Sequence, residues 1–120
     1  MRGQTSNGVS RISRVNELIK REIGTILLRE LDLPEGVFVT VMRVEAFPNL
    51  QGAKVYISII PEEKETEVFR TLQKDIYNIQ QILNKRLNMR PVPKIQWIKD
   101  TVPSEVQRIE ELFEKIKKKK

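Results

Sequence analysis

Apolar residues recur at three- and four-residue intervals from Ile12 onward, through Val15, Leu18, Ile19, Ile23, Ile26, Leu27 and Leu31. That spacing predicts one stripe of an amphipathic helix, with the hydroxyl of Ser10 or Ser13 as its N-cap. The stretch before it, residues 1–9, is polar and small, with two glycines and no apolar period. It is expected to be a disordered lead-in. Asp32 to Gly36 contains the Pro and Gly that end the helix.

Two β-rich runs follow, Val37 to Val44 and Ala53 to Ile60. The second alternates, with Val55, Ile57 and Ile59 on one face and Lys54, Tyr56 and Ser58 on the other, as a half-buried strand requires. Turn residues from Pro48 to Gly52 join the two runs. The expectation is an antiparallel hairpin with one face packed on helices and the other partly open. A second helical period, Val68, Leu72, Ile76, Ile79, Leu83 and Leu87, then begins near Thr66, a candidate N-cap preceded by acidic residues. The 22 residues from Thr66 to Leu87 exceed the typical three or four turns, so a kink or break inside this helix is expected.

Asn88 and Pro91 close it, and Val92 to Lys99 reads as a third strand with Pro91 and Pro93 at its start. The predicted order is α-β-β-α-β, an α+β domain in which the last strand returns to the same sheet through a helical crossover. Ser104 and Gln107 form a possible capping box ahead of Val106, Ile109, Leu112, Phe113 and Ile116. Residues 10–100 are therefore expected to form the domain, and residues 101–120 a short amphipathic C-terminal helix with a lysine tail.

Composition narrows the chemistry. The 120-residue chain carries 22 basic and 16 acidic residues, giving a net charge of +6, with no Cys and no His. Disulfides, thiol nucleophiles, Cys-based zinc sites and the commonest general base are all excluded. No nucleotide-cradling glycine motif occurs, and Glu62, Glu63, Glu65 and Glu67 beside Lys64 read as a solvated helix entrance rather than a metal site. No grouping of nucleophile, base and orienting residue supports an enzyme, and no cofactor or metal is expected. The N-terminus does not read as a signal peptide, and no run approaches the roughly 20 apolar residues of a membrane span. A cytoplasmic protein is expected.

The distribution of charge says more than its total. Arg70 to Lys99 holds seven basic residues, Arg70, Lys74, Lys85, Arg86, Arg90, Lys94 and Lys99, against the single acid Asp75. The remainder of the chain balances, so the whole net charge lies on one helix-to-strand segment. Any one of these cations could simply complement a helix C-terminus, but the cluster favours contact with phosphates. Arg43 and Lys54 from the hairpin are expected to assist, and Asn78 and Tyr77 are the polar groups best placed near a kink. Residue preference puts Trp97 in the core rather than on a stacking platform. Tyr56 is open to either reading.

Several segments carry a family resemblance. Ser13-Arg-Val-Asn-Glu-Leu-Ile-Lys-Arg-Glu-Ile23 looks like the opening helix of the ribosome-binding factor A family. Val39 to Glu45, Pro48 to Leu50 and Ala53 to Ser58 resemble its hairpin, and Asn84 to Ile95 its helix end and last strand. The resemblance runs in the same order from about Ser10 to Asp100.

It implies a type II KH-like fold and a bacterial ribosome assembly factor. Such a factor would bind the free small ribosomal subunit and its rRNA and assist late rRNA maturation, with a part in cold adaptation. The partners implied are that rRNA and subunit, with no small-molecule substrate and no membrane, and a monomer is expected. The family lacks the G-x-x-G loop of ordinary KH domains, and none of the five glycines here forms one. An ordinary KH groove is therefore not expected. The family's Ala-x-Gly kink aligns with Asp75-Ile76-Tyr77, a departure that leaves open whether other contacts make the break or the helix runs straighter. The alternative is a protein-interaction adaptor docking through the C-terminal amphipathic helix.

Overall fold

The computed structural model describes residues 2–100, with side chains described from Arg11. The expected C-terminal helix and lysine tail lie outside the described residues. Helix α1 spans Arg2–Glu30. It therefore begins well before Ser10 and Ser13, which are interior positions and not N-caps, and the stretch expected to be disordered is helical. Once a helix is nucleated, each added residue brings one hydrogen bond, so it can extend beyond its apolar stripe. The stripe itself matches expectation: Val15, Ile19, Ile23, Ile26 and Leu27 are all buried. A turn in which the Val37 N–H donates to the Pro34 carbonyl at 3.1 Å ends the segment. Gly36 takes φ +84° there, a value suited to glycine.

Strands β1 (Phe38–Ala46) and β2 (Gly52–Ile60) pair antiparallel, and β3 (Lys94–Lys99) joins β2 in parallel, giving the order β1-β2-β3. The predicted alternation holds: Val55, Ile57 and Ile59 are buried, while Lys54, Tyr56 and Ser58 are half-buried on the opposite face. A bulge inserts Met42 between the Val41–Ile57 and Arg43–Tyr56 pairs, turning Arg43 onto the open face beside Tyr56.

The long helical pattern is two helices, α2 (Glu65–Lys74) and α3 (Ile76–Arg86). A 3₁₀ turn, Glu62–Lys64, leads straight into α2, whose N-cap position is Lys64 with no side-chain cap. Thr66 is thus inside the helix. The break falls at Asp75, at φ −89° and ψ 2°. This is the sparsely populated bridge region, open to a non-glycine residue because φ stays negative. Hydrogen bonds from Asp75 N–H to Thr71 and from Ile79 N–H to Asp75, both 3.0 Å, carry the chain across it. Val68, Leu72, Ile79 and Leu83 all face one core with α1 and the inner sheet face. Trp97 belongs to that core at 3% exposure, and its indole N–H donates to the Leu72 carbonyl at 3.0 Å. Base stacking by Trp97 is excluded.

Candidate nucleic-acid interface

Side chains at three- and four-residue spacing share a helix face. On the solvent side of α2 and α3 this brings forward Arg70, Lys74, Tyr77, Asn78, Gln81 and Lys85, all at least partly exposed. Tyr77 is 74% exposed, so its ring is not held by the core. Leu87 leaves the helical conformation at φ −95° and ψ 141°. The chain then returns through Arg90 and Pro91 to β3, leaving an open groove of about 770 Å³ between α3 and the start of β3. Tyr77, Gln80, Gln81 and Asn84 line it from the helix, and Arg90 and Lys94 from the returning chain.

Gln80 closes the free edge of β3 with one amide. Its oxygen accepts from the Ile95 N–H at 2.9 Å, and its nitrogen donates to the Pro93 carbonyl at 3.1 Å and to Asn84 Oδ1 at 3.0 Å. These are the bonds a neighbouring strand would make at that position, so the edge is satisfied at Pro93 and Ile95 and α3 is fixed against the start of β3. Such a groove offers a ring face for stacking, amides for hydrogen bonding and two cations for phosphate. An ordinary KH groove was not expected, and no pattern in the chain signals this one, because Gln80 and Ile95 meet only in the fold. Among the described residues no group of three His, Cys, Asp or Glu could hold a metal, and no polar or charged residue is buried.

The candidate cations divide into engaged and free. Arg43 pairs with Asp100 at 3.0 Å and Glu45 at 3.4 Å, and its guanidinium lies 3.8 Å from the centre of the Tyr56 ring. Desolvation by these neighbours lowers its pKa, but the Glu45 hydrogen bond and the charges of Asp100 and Glu45 outweigh this, and the pKa is raised. The Tyr56 hydroxyl donates to Glu45 at 3.0 Å. Arg86 pairs with Glu22 and so ties α3 to α1. Lys99 pairs with Glu65 at 3.6 Å.

Arg70, Lys74, Lys85, Arg90 and Lys94 make no ion pair among the described residues and keep their charge available. Lys54 is also unpaired among them, but it projects with Arg43 from the sheet face turned away from the helices. The fold thus separates the two hairpin cations from the helical ones that the sequence grouped with them. Pairing of Arg43 with Asp100 and of Arg86 with Glu22 spans 57 and 64 residues. No local pattern signals either contact.

Fold and surface together define a small basic domain of the type II KH-like class, with a three-stranded sheet, a broken helix pair and no G-x-x-G loop. The family model for ribosome-binding factor A matches residues 11–113. The ribosome-binding factor A of Halothermothrix orenii is 35% identical over 108 residues, covering 89% of this chain and 88% of that protein. The crystal structure of ribosome-binding factor A from Thermus thermophilus superposes with a TM-score of 0.64 at 19% identity, covering 73% of this chain and 94% of that one. Coordinates of the Thermus thermophilus protein fitted into a cryo-EM map of its 30S complex give a TM-score of 0.59 at 22% identity, covering 69% and 88%. The chain belongs to the ribosome-binding factor A family.

Proposed function

We propose that this chain is a cytoplasmic, monomeric assembly factor that binds the free small ribosomal subunit and assists late maturation of its rRNA, without a chemical step of its own. The surface that docks is formed by α2, α3 and the start of β3. One observation carries this reading. Arg70, Lys74, Lys85, Arg90 and Lys94 are exposed and unpaired among the described residues, and Arg90 and Lys94 line the groove together with Tyr77. Family membership agrees with it, since the Thermus thermophilus relative is described in a 30S complex.

Contacts from these cations are mainly to phosphate, which positions a protein without reading sequence, so selectivity comes from RNA shape. Arg43 and Arg86, already engaged within the fold, hold the domain together and contribute little to binding. Co-sedimentation with purified small subunits and with assembled ribosomes tests the proposal. Binding to free subunits and weak binding to assembled ribosomes is the expected result, and equal binding to both argues against an assembly role.

A further inference from the structure

An edge strand turns every second backbone N–H and C=O away from its only neighbour. In this sheet β1 and β3 are the edges. On β2 the Ile57 carbonyl accepts from Asp100 on the β3 side, and the Gly52 carbonyl accepts from the Phe47 N–H on the β1 side. By alternation Ser58 and Ile60 turn their backbones to β1, where they face Thr40 and Phe38. Val39 and Val41 therefore point their N–H and C=O groups out of the sheet. Elsewhere the edges are capped by side chains. Asn16 Oδ1 accepts from the Ala46 N–H at 2.8 Å, and the Gln80 amide serves Pro93 and Ile95 on β3. Among the described residues Val39 and Val41 have no such cap.

A cleft runs beside these two residues. It exists because Gly24 of α1 has no side chain: a Cβ placed there would meet nothing within 4 Å. Two hollows of about 490 and 140 Å³ share Gly24, Leu28, Val39 and Val41, so they form one continuous cleft between α1 and the β1 edge. Its ends differ in chemistry. Toward the end of α1 the smaller hollow is lined by Leu27, Leu31 and Leu33, and Leu28 on its rim is 87% exposed. Toward the middle of α1 the larger hollow is lined by Lys20, Arg21 and Glu17, and Arg14 lines the space adjoining it. Three cations against one acid leave that end positive.

These features select the occupant. Outward N–H and C=O groups at alternate residues match another extended backbone. Strand addition at a sheet edge takes its affinity from main-chain bonds and its selectivity from pockets for alternate side chains. RNA has no backbone that completes such a ladder, and an apolar hollow offers its phosphates nothing. We infer that the β1 edge at Val39 and Val41 docks an extended segment of a partner protein as a fourth strand. An aliphatic side chain of that segment enters the hollow of Leu27, Leu31 and Leu33, and a carboxylate complements Lys20 and Arg21. The bulge at Met42, where the register shifts, ends the site. The site occupies the opposite edge of the sheet from the α3–β3 groove and does not rest on RNA docking.

The test pans the full chain against a displayed library of random linear peptides. The expected consensus places an aliphatic and an acidic residue at alternating positions. A selected peptide, titrated into isotope-labelled protein, should slow hydrogen exchange at the Val39 and Val41 amides. Gly24→Gln fills the cleft from a helix interior, where glycine is itself unfavourable, so the variant should fold and lose peptide affinity about tenfold or more. Val39→Pro removes an outward N–H without touching the β2 ladder and should weaken binding to the same degree. Lys85→Ala/Arg90→Ala/Lys94→Ala should bind the peptide as the wild type does. Failure to enrich any sequence, protection at β3 instead, or wild-type affinity in folded Gly24→Gln overturns the inference. It is also overturned if single-stranded RNA alone protects Val39 and Val41, or if dimerisation without peptide does so, because the occupant is then a nucleic acid or a second copy.

Discussion

The indole of Trp97 on β3 donates a 3.0 Å hydrogen bond to the carbonyl of Leu72. Leu72 lies in the last turn of α2, where helix carbonyls run out of in-helix donors. The only tryptophan of the chain thus satisfies a backbone acceptor beside the helix break, and both residues are buried. Trp97→Phe keeps an aromatic ring but removes the donor, leaving a buried carbonyl unpaired at a cost of about 1–3 kcal/mol. Urea unfolding should show this loss, while affinity for the small subunit stays at the wild-type value.

Asp75 makes the helix break without glycine because its φ is −89°. Asp75→Gly therefore gains no strain relief and adds freedom to the unfolded chain. A destabilisation of about 0.5–1 kcal/mol is expected in thermal or urea unfolding. A stabilised variant would mean that the aspartate backbone is strained there.

Glu22 of α1 and Arg86 of α3 link two helices that also share the core. Both side chains are partly exposed, at 17% and 36%, so solvent screens the pair. Glu22→Gln should cost up to about 1 kcal/mol. A double-mutant cycle with Arg86→Gln should return a coupling energy of that size, and a smaller coupling at high salt.

Tyr77 presents its ring to the groove at 74% exposure and contributes little to the core. Tyr77→Ala should leave the unfolding midpoint nearly unchanged. If an unpaired base stacks on the ring, the variant loses about 1–3 kcal/mol of binding free energy, read by titration against small subunits.

Much of the fold is legible in spacing. The alternation in β2 names its buried face, and the unusual length of the second helical pattern points to a break, because both follow from local periods. Its site at Asp75 is less legible, since the chain there departs from the family's Ala-x-Gly and the Trp97 hydrogen bond to Leu72 beside the break joins residues far apart in sequence. The basic segment is visible as a count. Which of its cations are free is not, because Glu22 and Asp100, the partners of Arg86 and Arg43, lie far away in sequence. The helix start is misplaced by the apolar stripe because a stripe reports burial, whereas α1 begins at Arg2, before the stripe does.

Lys85, Arg90 and Lys94 are unpaired among the described residues and reach solvent, whereas Arg43 is held by two carboxylates. The central claim is that the first three meet phosphates. The most direct measurement is the salt dependence of co-sedimentation with free small subunits for the wild type, for Lys85→Ala/Arg90→Ala/Lys94→Ala, and for Arg43→Ala. Each phosphate contact contributes roughly 0.7–0.9 to the slope of log affinity against log salt. A slope shallower by about 2–3 in the triple variant is therefore expected, with Arg43→Ala close to wild type. An unchanged slope and affinity in a folded triple variant would contradict the account.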